Sequence, residues 1–329
     1  MTRVVRFHEL GGPEVLRLEE GEVRSPGPGE VRIRVKALGL NRADALLRRG
    51  IYIQKPAFPS GLGLEAAGTV ESIGSDVQGV APGDVVSVVP PPSMIRCPAY
   101  GELAVFPARL LVKHPSSLSW ETAAAVWMQY ITAYGALIDI AKLARGEFVV
   151  VTAASSSVGL AAIQIANHVG ATPIAVTRTS AKRPALFNAG AAHVVATDEE
   201  DLATRLAEIA GPEGIRVVFD PVAGPIFEPL TTAMSRGGVL IEYGGLSVEP
   251  TPFPIGNVLG KGLTLRGYLM HEISGDPLRL EPAKTFILNG LASGALRPII
   301  AKTFRFEEIV KAHRYLESNE QFGKIVVTL

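Results

Sequence analysis

A chain of 329 residues, 47% of them hydrophobic, with positive mean hydropathy, is long enough for two domains with separate cores. Its 32 basic and 32 acidic residues cancel to a formal net charge of zero, which removes the electrostatic case for nucleic acid or an anionic membrane as the main partner. The single cysteine, Cys97, excludes an intramolecular disulfide and a cysteine-rich zinc site, and with neither a signal core nor a bilayer-length apolar run the expectation is a soluble cytoplasmic protein.

In chain order, residues 3–7 and 15–19 read as short strands around the turn Gly11-Gly12-Pro13. Glu30 to Ala37 alternates as a strand, with Val31, Ile33, Val35 and Ala37 on one face and Arg32, Arg34 and Lys36 on the other. A short helix over 41–49 has Asn41 near its cap, and a loop rich in proline and glycine follows over 50–63. Strands over 66–73, 85–89 and 101–106, separated by turns such as Ala81-Pro-Gly-Asp84, complete a compact, barrel-like β domain. The texture changes between His114 and Trp120, where Ser119 reads as the cap of a helix over 123–139. From Glu147 on, strands over 148–153, 174–177, 193–196, 215–219, 238–242 and 263–267 alternate with helices over 157–169, 180–189, 199–210 and 225–235. That alternation predicts an α/β architecture with a six-stranded, doubly wound parallel sheet. The tail adds helices over 281–293 and 307–317 and strands over 299–304 and 324–328. The last strand is expected to return to the first domain, so that residues 1–119 and 269–329 form the β-rich domain and 120–268 the inserted one.

Glu147 to Arg178 carries the chemistry. It is a strand, tight turn, helix, strand unit of the dinucleotide-binding type. The three glycines of the usual fingerprint fall on Ala154, Ser156 and Gly159, so only the third is kept. Ser155, Ser156 and Ser157 remain small and can donate to phosphate oxygens, and the helix opening at Ser157-Val158 offers free backbone N–H groups and a partial positive charge. An ordinary crossover without a ligand is the alternative reading of this loop. Where an NAD enzyme carries an acid for the ribose 2′-hydroxyl, this chain has Thr177-Arg178, with Lys182 and Arg183 just beyond and no acid before Asp198. A carboxylate repels a 2′-phosphate and a guanidinium binds it, so the cofactor is expected to be NADPH.

The layout and five stretches resemble the zinc-independent quinone oxidoreductases, the zeta-crystallin-like group of the medium-chain dehydrogenase/reductase superfamily. The stretches are Gly39 to Asp44, Pro59 to Gly68, Ala81 to Val85, Ala153 to Gln164 and Gln321 to Lys324. The resemblance spans the whole chain and implies a GroES-like domain joined to a Rossmann domain, paired as a homodimer. Zinc-binding relatives carry Cys at the position of Asn41 and His at that of Leu64, beside a match to Glu65, and have a four-cysteine lobe that is missing here. Three nitrogen or sulfur ligands for a catalytic zinc cannot be assembled, so no metal is expected. Cys97 then reads as a bystander. Without a Lewis acid the fitting acceptor is one that polarises itself, a quinone or a related α,β-unsaturated carbonyl, reduced by hydride from C4 of the nicotinamide.

The resemblance also assigns residues. Tyr52 matches a cleft tyrosine that would donate to the substrate oxygen, with an aromatic wall as its other reading. A second cleft tyrosine of some relatives is Leu46 here. Asn41 matches a residue at the nicotinamide end, with helix capping as the alternative. Leu64 and Gln129 would line the substrate pocket, and Thr132 matches a cofactor contact. Lys182 matches a residue for the 2′-phosphate, while the tyrosine that often assists it is Thr197 here. Val222, Tyr243 and Gly244 fall at strand ends where ligands bind in open sheets, and Phe322 and Lys324 match tail contacts near the cofactor. The six histidines lack a partner pattern and read as structural. Two other functions stay open. One is a specific enone or enoyl-thioester reductase, for which Arg48, Arg49 and Lys55 would give a basic entrance. The other is an NADPH-binding protein without turnover, structural or RNA-binding, against which the neutral charge argues.

Overall fold

The computed structural model describes residues 1–115 and 118–329. Ser116 and Ser117, inside the stretch where the texture of the sequence changes, lie outside the described residues. The elements run β1 (Thr2–Arg6), β2 (Arg17–Gly21), β3 (Glu30–Gly39), α1 (Arg42–Arg48), β4 (Glu65–Ile73), β5 (Val85–Val88), β6 (Leu103–Pro107), β7 (Leu111–Lys113), α2 (Trp120–Ala123) and α3 (Trp127–Tyr134). They continue with β8 (Phe148–Val151), α4 (Ser157–Val169), β9 (Thr172–Thr177), α5 (Arg183–Asn188), β10 (His193–Ala196), α6 (Leu202–Ala210), β11 (Ile215–Asp220), α7 (Phe227–Ala233), β12 (Met234–Glu242), α8 (Ile255–Lys261) and β13 (Thr264–Gly267). The chain ends with α9 (His271–Ser274), α10 (Pro277–Ser293), β14 (Ile300–Arg305), α11 (Ile309–Ser318) and β15 (Lys324–Thr328). It divides into two compact units, Met1–Met128 with Pro298–Leu329, and Gln129–Arg297. These limits lie nine residues beyond the 119/120 limit and 29 beyond the 268/269 limit expected from sequence, because α10 packs with the second unit.

In the first unit a seven-stranded sheet runs β14-β15-β3-β4-β5-β7, with β6 also paired to β3. The alternation in β3 has its physical cause here: Val31, Ile33, Val35 and Ala37 are buried, and Arg34 is exposed. β15 lies antiparallel to β3, with Val327 opposite Leu38, so the last strand joins the sheet that β3 begins, while β1 and β2 pair in a separate two-stranded sheet. In the second unit the sheet is parallel, in the order β10-β9-β8-β11-β12-β13, the doubly wound order. Its central strands are apolar runs buried on both faces, as in Val149, Val150 and Val151 of β8 and Val217, Val218 and Phe219 of β11.

One expected helix is broken. Residues 123–139 were expected to form one helix, but α2 ends at Ala123, α3 starts at Trp127, and Gly135–Ile140 forms a π-turn. The restart has a cap that sequence alone does not reveal: the Met128 backbone N–H donates to Glu65 Oε1 at 3.0 Å, and Trp127 Nε1 donates to Ser87 Oγ at 2.8 Å. Among the described residues no helix is long and apolar enough to cross a membrane.

Candidate functional site

In the second unit, the expected cofactor residues gather at the C-terminal ends of the parallel strands. After β8 the backbone turns sharply, with Ala153 in the left-handed region at φ +45°. The Ser156 hydroxyl accepts from Gly159 N at 3.0 Å and caps the 13-residue α4. A Cβ on Gly159 would lie 2.7 Å from Ala154 Cα and from Ala154 O. That crowding explains why the third fingerprint glycine survives while the first two have become Ala154 and Ser156. Ser155, Ser157 and Val158 are half-buried around the first turn of α4, whose free N–H groups and dipole suit an anion.

The basic group sits beside this turn. Lys182 Nζ is 3.3 Å from Ser155 Oγ. Arg178, one residue past Thr177 at the end of β9, is exposed, and among the described residues its guanidinium makes no hydrogen bond or ion pair. The nearby acids are engaged elsewhere: Glu199 accepts from Ser180 N at 2.7 Å, and Glu200 pairs with Arg183 at 2.5 Å. Val222, Tyr243 and Gly244 follow β11 and β12. The Tyr243 ring stacks on Phe219 with centroids 4.0 Å apart. Gln129 and Thr132 are buried on α3.

In the first unit the surprise is Lys324, the first residue of β15, whose side chain is fully buried. Its ammonium donates to Glu65 Oε2 at 2.5 Å and to Asn41 Oδ1 at 2.7 Å. Glu65 thus caps α3 with one oxygen and binds the ammonium with the other. The corner is tight: a Cβ on Gly39 would lie 2.7 Å from both Lys324 Cε and Glu65 Oε2. Asn41 is both the cap expected from sequence and part of this cluster, since its backbone N–H donates to Asp44 Oδ2 at 2.8 Å in a capping box on α1. Its side-chain amide donates to Gly39 O at 3.0 Å. An ammonium has only donors, so Asn41 must turn its oxygen to Lys324 and its NH₂ away, leaving one amide N–H to give.

Behind Asn41, the Asp44 carboxylate also accepts from the Tyr100 hydroxyl at 2.9 Å, and burial pushes Asp44 up to about 7. Burial, and then the Asp44 charge, push Tyr52 up to about 12, so its phenol keeps its proton at neutral pH. Leu64 is buried and apolar, and Phe322 is half-buried two residues before β15. His313 packs edge-on to Tyr100 and is pushed down to about 3 by burial and Arg48, so it is a neutral packing residue. The Cys97 thiol is pushed up by burial, which suppresses its reactivity. The basic entrance loses a member: Arg48 is buried and bonded to Gly11 O and Glu317, while Arg49 and Lys55 stay exposed.

Two families match the chain: the alcohol dehydrogenase GroES-like domain over residues 27–116 and the zinc-binding dehydrogenases over 157–281. Quinone oxidoreductase 1 of Escherichia coli is 32% identical, covering 98% of each chain. A 2-haloacrylate reductase from a Burkholderia species is 30% identical over 99% of each. The crystal structure of Escherichia coli quinone oxidoreductase complexed with NADPH has a TM-score of 0.90 at 30% identity, covering 99% of this chain and 100% of that one. The chain belongs to the quinone oxidoreductases of the medium-chain dehydrogenase/reductase superfamily. The Escherichia coli structure and a mycobacterial one at 26% identity and TM-score 0.91 were solved with NADPH, and the residues here would fit that cofactor: the capped helix N-terminus at Ser156 would suit a pyrophosphate, and the exposed Arg178 with Lys182 a 2′-phosphate. The family name that mentions zinc does not carry over to this quinone oxidoreductase. The corner of Asn41, Leu64 and Glu65 offers an amide, a hydrocarbon and one carboxylate where a catalytic zinc needs three protein ligands; that carboxylate is already held by Met128 N–H and the Lys324 ammonium, whose fixed positive charge repels a divalent ion.

Three participants escaped the sequence reading. Asp44 is signalled locally, since an acid three residues after Asn41 is the capping-box spacing. Glu65 as partner of Lys324 joins residues 259 apart. Glu242 beside Asp220 depends on the register of two strands. Neither of the last two pairs leaves a local signal.

Proposed function

We propose that this protein is a cytoplasmic, NADPH-dependent, zinc-independent reductase of quinones and related α,β-unsaturated carbonyls, acting as a homodimer. The observation that carries the reading is the buried Lys324–Asn41–Glu65 cluster: it replaces metal ligands with a fixed ammonium and aims an amide donor. Bound NADPH supplies a hydride from its nicotinamide. Ala154 to Gly159, Thr177, Arg178, Lys182, Val222, Tyr243 and Gly244 hold and orient it, with Thr132 assisting. Leu64 shapes the acceptor site in the first unit. Tyr52, protonated at neutral pH, and the remaining amide N–H of Asn41 donate to the acceptor oxygen, where charge develops during reduction. Two neutral donors suffice for a conjugated acceptor because its own π system spreads that charge, whereas an isolated ketone concentrates it on one atom.

The burial of Arg48 weakens the case for a thioester with a nucleotide tail, which would need a basic entrance. Self-association is supported by β13, an edge strand with unpaired backbone groups, and by exposed Val248, Phe253, Ile255 and Leu259 in the segment before it. A panel of quinones, enones, enoyl thioesters and simple ketones, assayed with NADPH and NADH on material whose mass is measured by light scattering, tests the reading. Quinones or enones are expected to turn over with NADPH and simple ketones not. Reduction of simple ketones at a comparable rate, or no oxidation of NADPH by any quinone or enone, would contradict it, and a monomeric mass would contradict the dimer.

A further inference from the structure

A row of polar side chains crosses the C-terminal edge of the parallel sheet in the second unit. Asp220 at the end of β11 and Glu242 at the end of β12 are register partners, which puts their side chains on the same face. Thr152, just past β8, donates its hydroxyl to Asp220. Val222 N and Ala223 N also donate to Asp220, at 3.1 and 2.8 Å. With three donors, Asp220 is built to hold a negative charge. Glu242 is built the opposite way: both of its carboxyl oxygens are buried, and among the described residues neither has a partner at full hydrogen-bond geometry, although the Gly244 backbone N–H lies close by and partly offsets the burial. Two adjacent, buried, ionised carboxylates would repel, and Asp220 is much the better solvated by the protein. Burial, and then the Asp220 charge, push Glu242 up to about 10.

The turn fastened to Asp220 needs fastening. Ala223 has φ +58° and ψ −156°, a region that only glycine enters freely. Its N–H is held by Asp220 Oδ2, so the geometry of the Pro221–Gly224 turn depends on where that carboxylate sits. We propose that Glu242 carries a proton at neutral pH and donates it in a hydrogen bond to Asp220, and that this proton-sharing pair is a positioning element for the strand ends that bear Val222, Tyr243 and Gly244. The proton stays within the pair and is not consumed in turnover. The inference rests on the assignment of these strand ends to the cofactor.

Two variants and two readouts test it. Glu242→Gln keeps a donor to Asp220, and Glu242→Ala removes it. The infrared difference spectrum of wild type minus Glu242→Gln at pH 8 is expected to show the carbonyl stretch of a protonated carboxylic acid. By fluorescence titration, Glu242→Gln is expected to bind NADPH nearly as wild type does, while Glu242→Ala weakens binding about ten-fold, as loss of a hydrogen bond to a charged group does. Carboxylate bands in place of the acid band would overturn the protonation. Equal weakening by both variants, or wild-type affinity in Glu242→Ala, would overturn the positioning role. Wild-type protein that bound no NADPH would overturn the cofactor assignment and the positioning role together, while the infrared band still decided the proton.

Discussion

Replacing Lys324 with methionine is expected to destabilise the first unit by about 3–5 kcal/mol, because it leaves Glu65 charged, buried and without its counter-ion. The ammonium meets two acceptors, at 2.5 and 2.7 Å, in a corner so close-packed that Gly39 admits no Cβ. Urea unfolding of wild type and Lys324→Met measures the loss. The double variant Glu65→Gln with Lys324→Met removes the stranded charge yet keeps an oxygen for the Met128 N–H, so it is expected to recover at least half of the deficit. Its catalysis is not expected to recover. Nothing then turns the Asn41 amide, and kcat/KM should fall while NADPH affinity holds. A single variant within about 1 kcal/mol of wild type would show that the pair is worth no more than an exposed one.

The second large effect concerns the 2′-phosphate. Arg178→Asp is expected to raise the KM for NADPH by about 100-fold, since a charge-assisted hydrogen bond contributes about 1.5–3 kcal/mol and the new carboxylate adds repulsion. The KM for NADH should change little, because NADH has no phosphate to meet either charge. The geometry makes the substitution informative. Arg178 is exposed and unpaired among the described residues, so its loss disturbs no internal contact, and the fold is expected to keep its melting temperature. Initial rates against each nicotinamide settle the matter. An NADPH/NADH preference unchanged in Arg178→Asp would assign the discrimination elsewhere, with Lys182 beside Ser155 the next residue to test.

The limits of α4 were legible because both of its ends are local: Ser156 caps the first turn and Gly170 closes the last at φ +81°. β15 was legible for the same reason, as a β-branched run after Gly323. The broken helix after Ala123 was not, because the break depends on Glu65 and Ser87, far away in the chain. Its π-turn begins at Gly135, where a Cβ would lie 2.0 Å from Tyr268 Oη, again a contact at long range. β7 and α8 were missed: the first is three residues long, and the second has no buried residue to give its sequence a helical period. The site shows the same split. The dinucleotide turn and its basic neighbours lie within one βαβ unit and could be read in place. Resemblance singled out Lys324 and Asn41, but the ammonium that joins them to Glu65 needed the fold.

The proposed catalysis does without a metal: a side-chain ammonium and neutral donors would do the work of a Lewis acid. Turnover of 1,4-benzoquinone with NADPH, measured on purified protein before and after exhaustive chelation and with its metal content determined, tests that most directly. The expected result is an unchanged rate in protein containing no stoichiometric zinc. One zinc per chain, with activity lost on chelation and regained when zinc is restored, would contradict it.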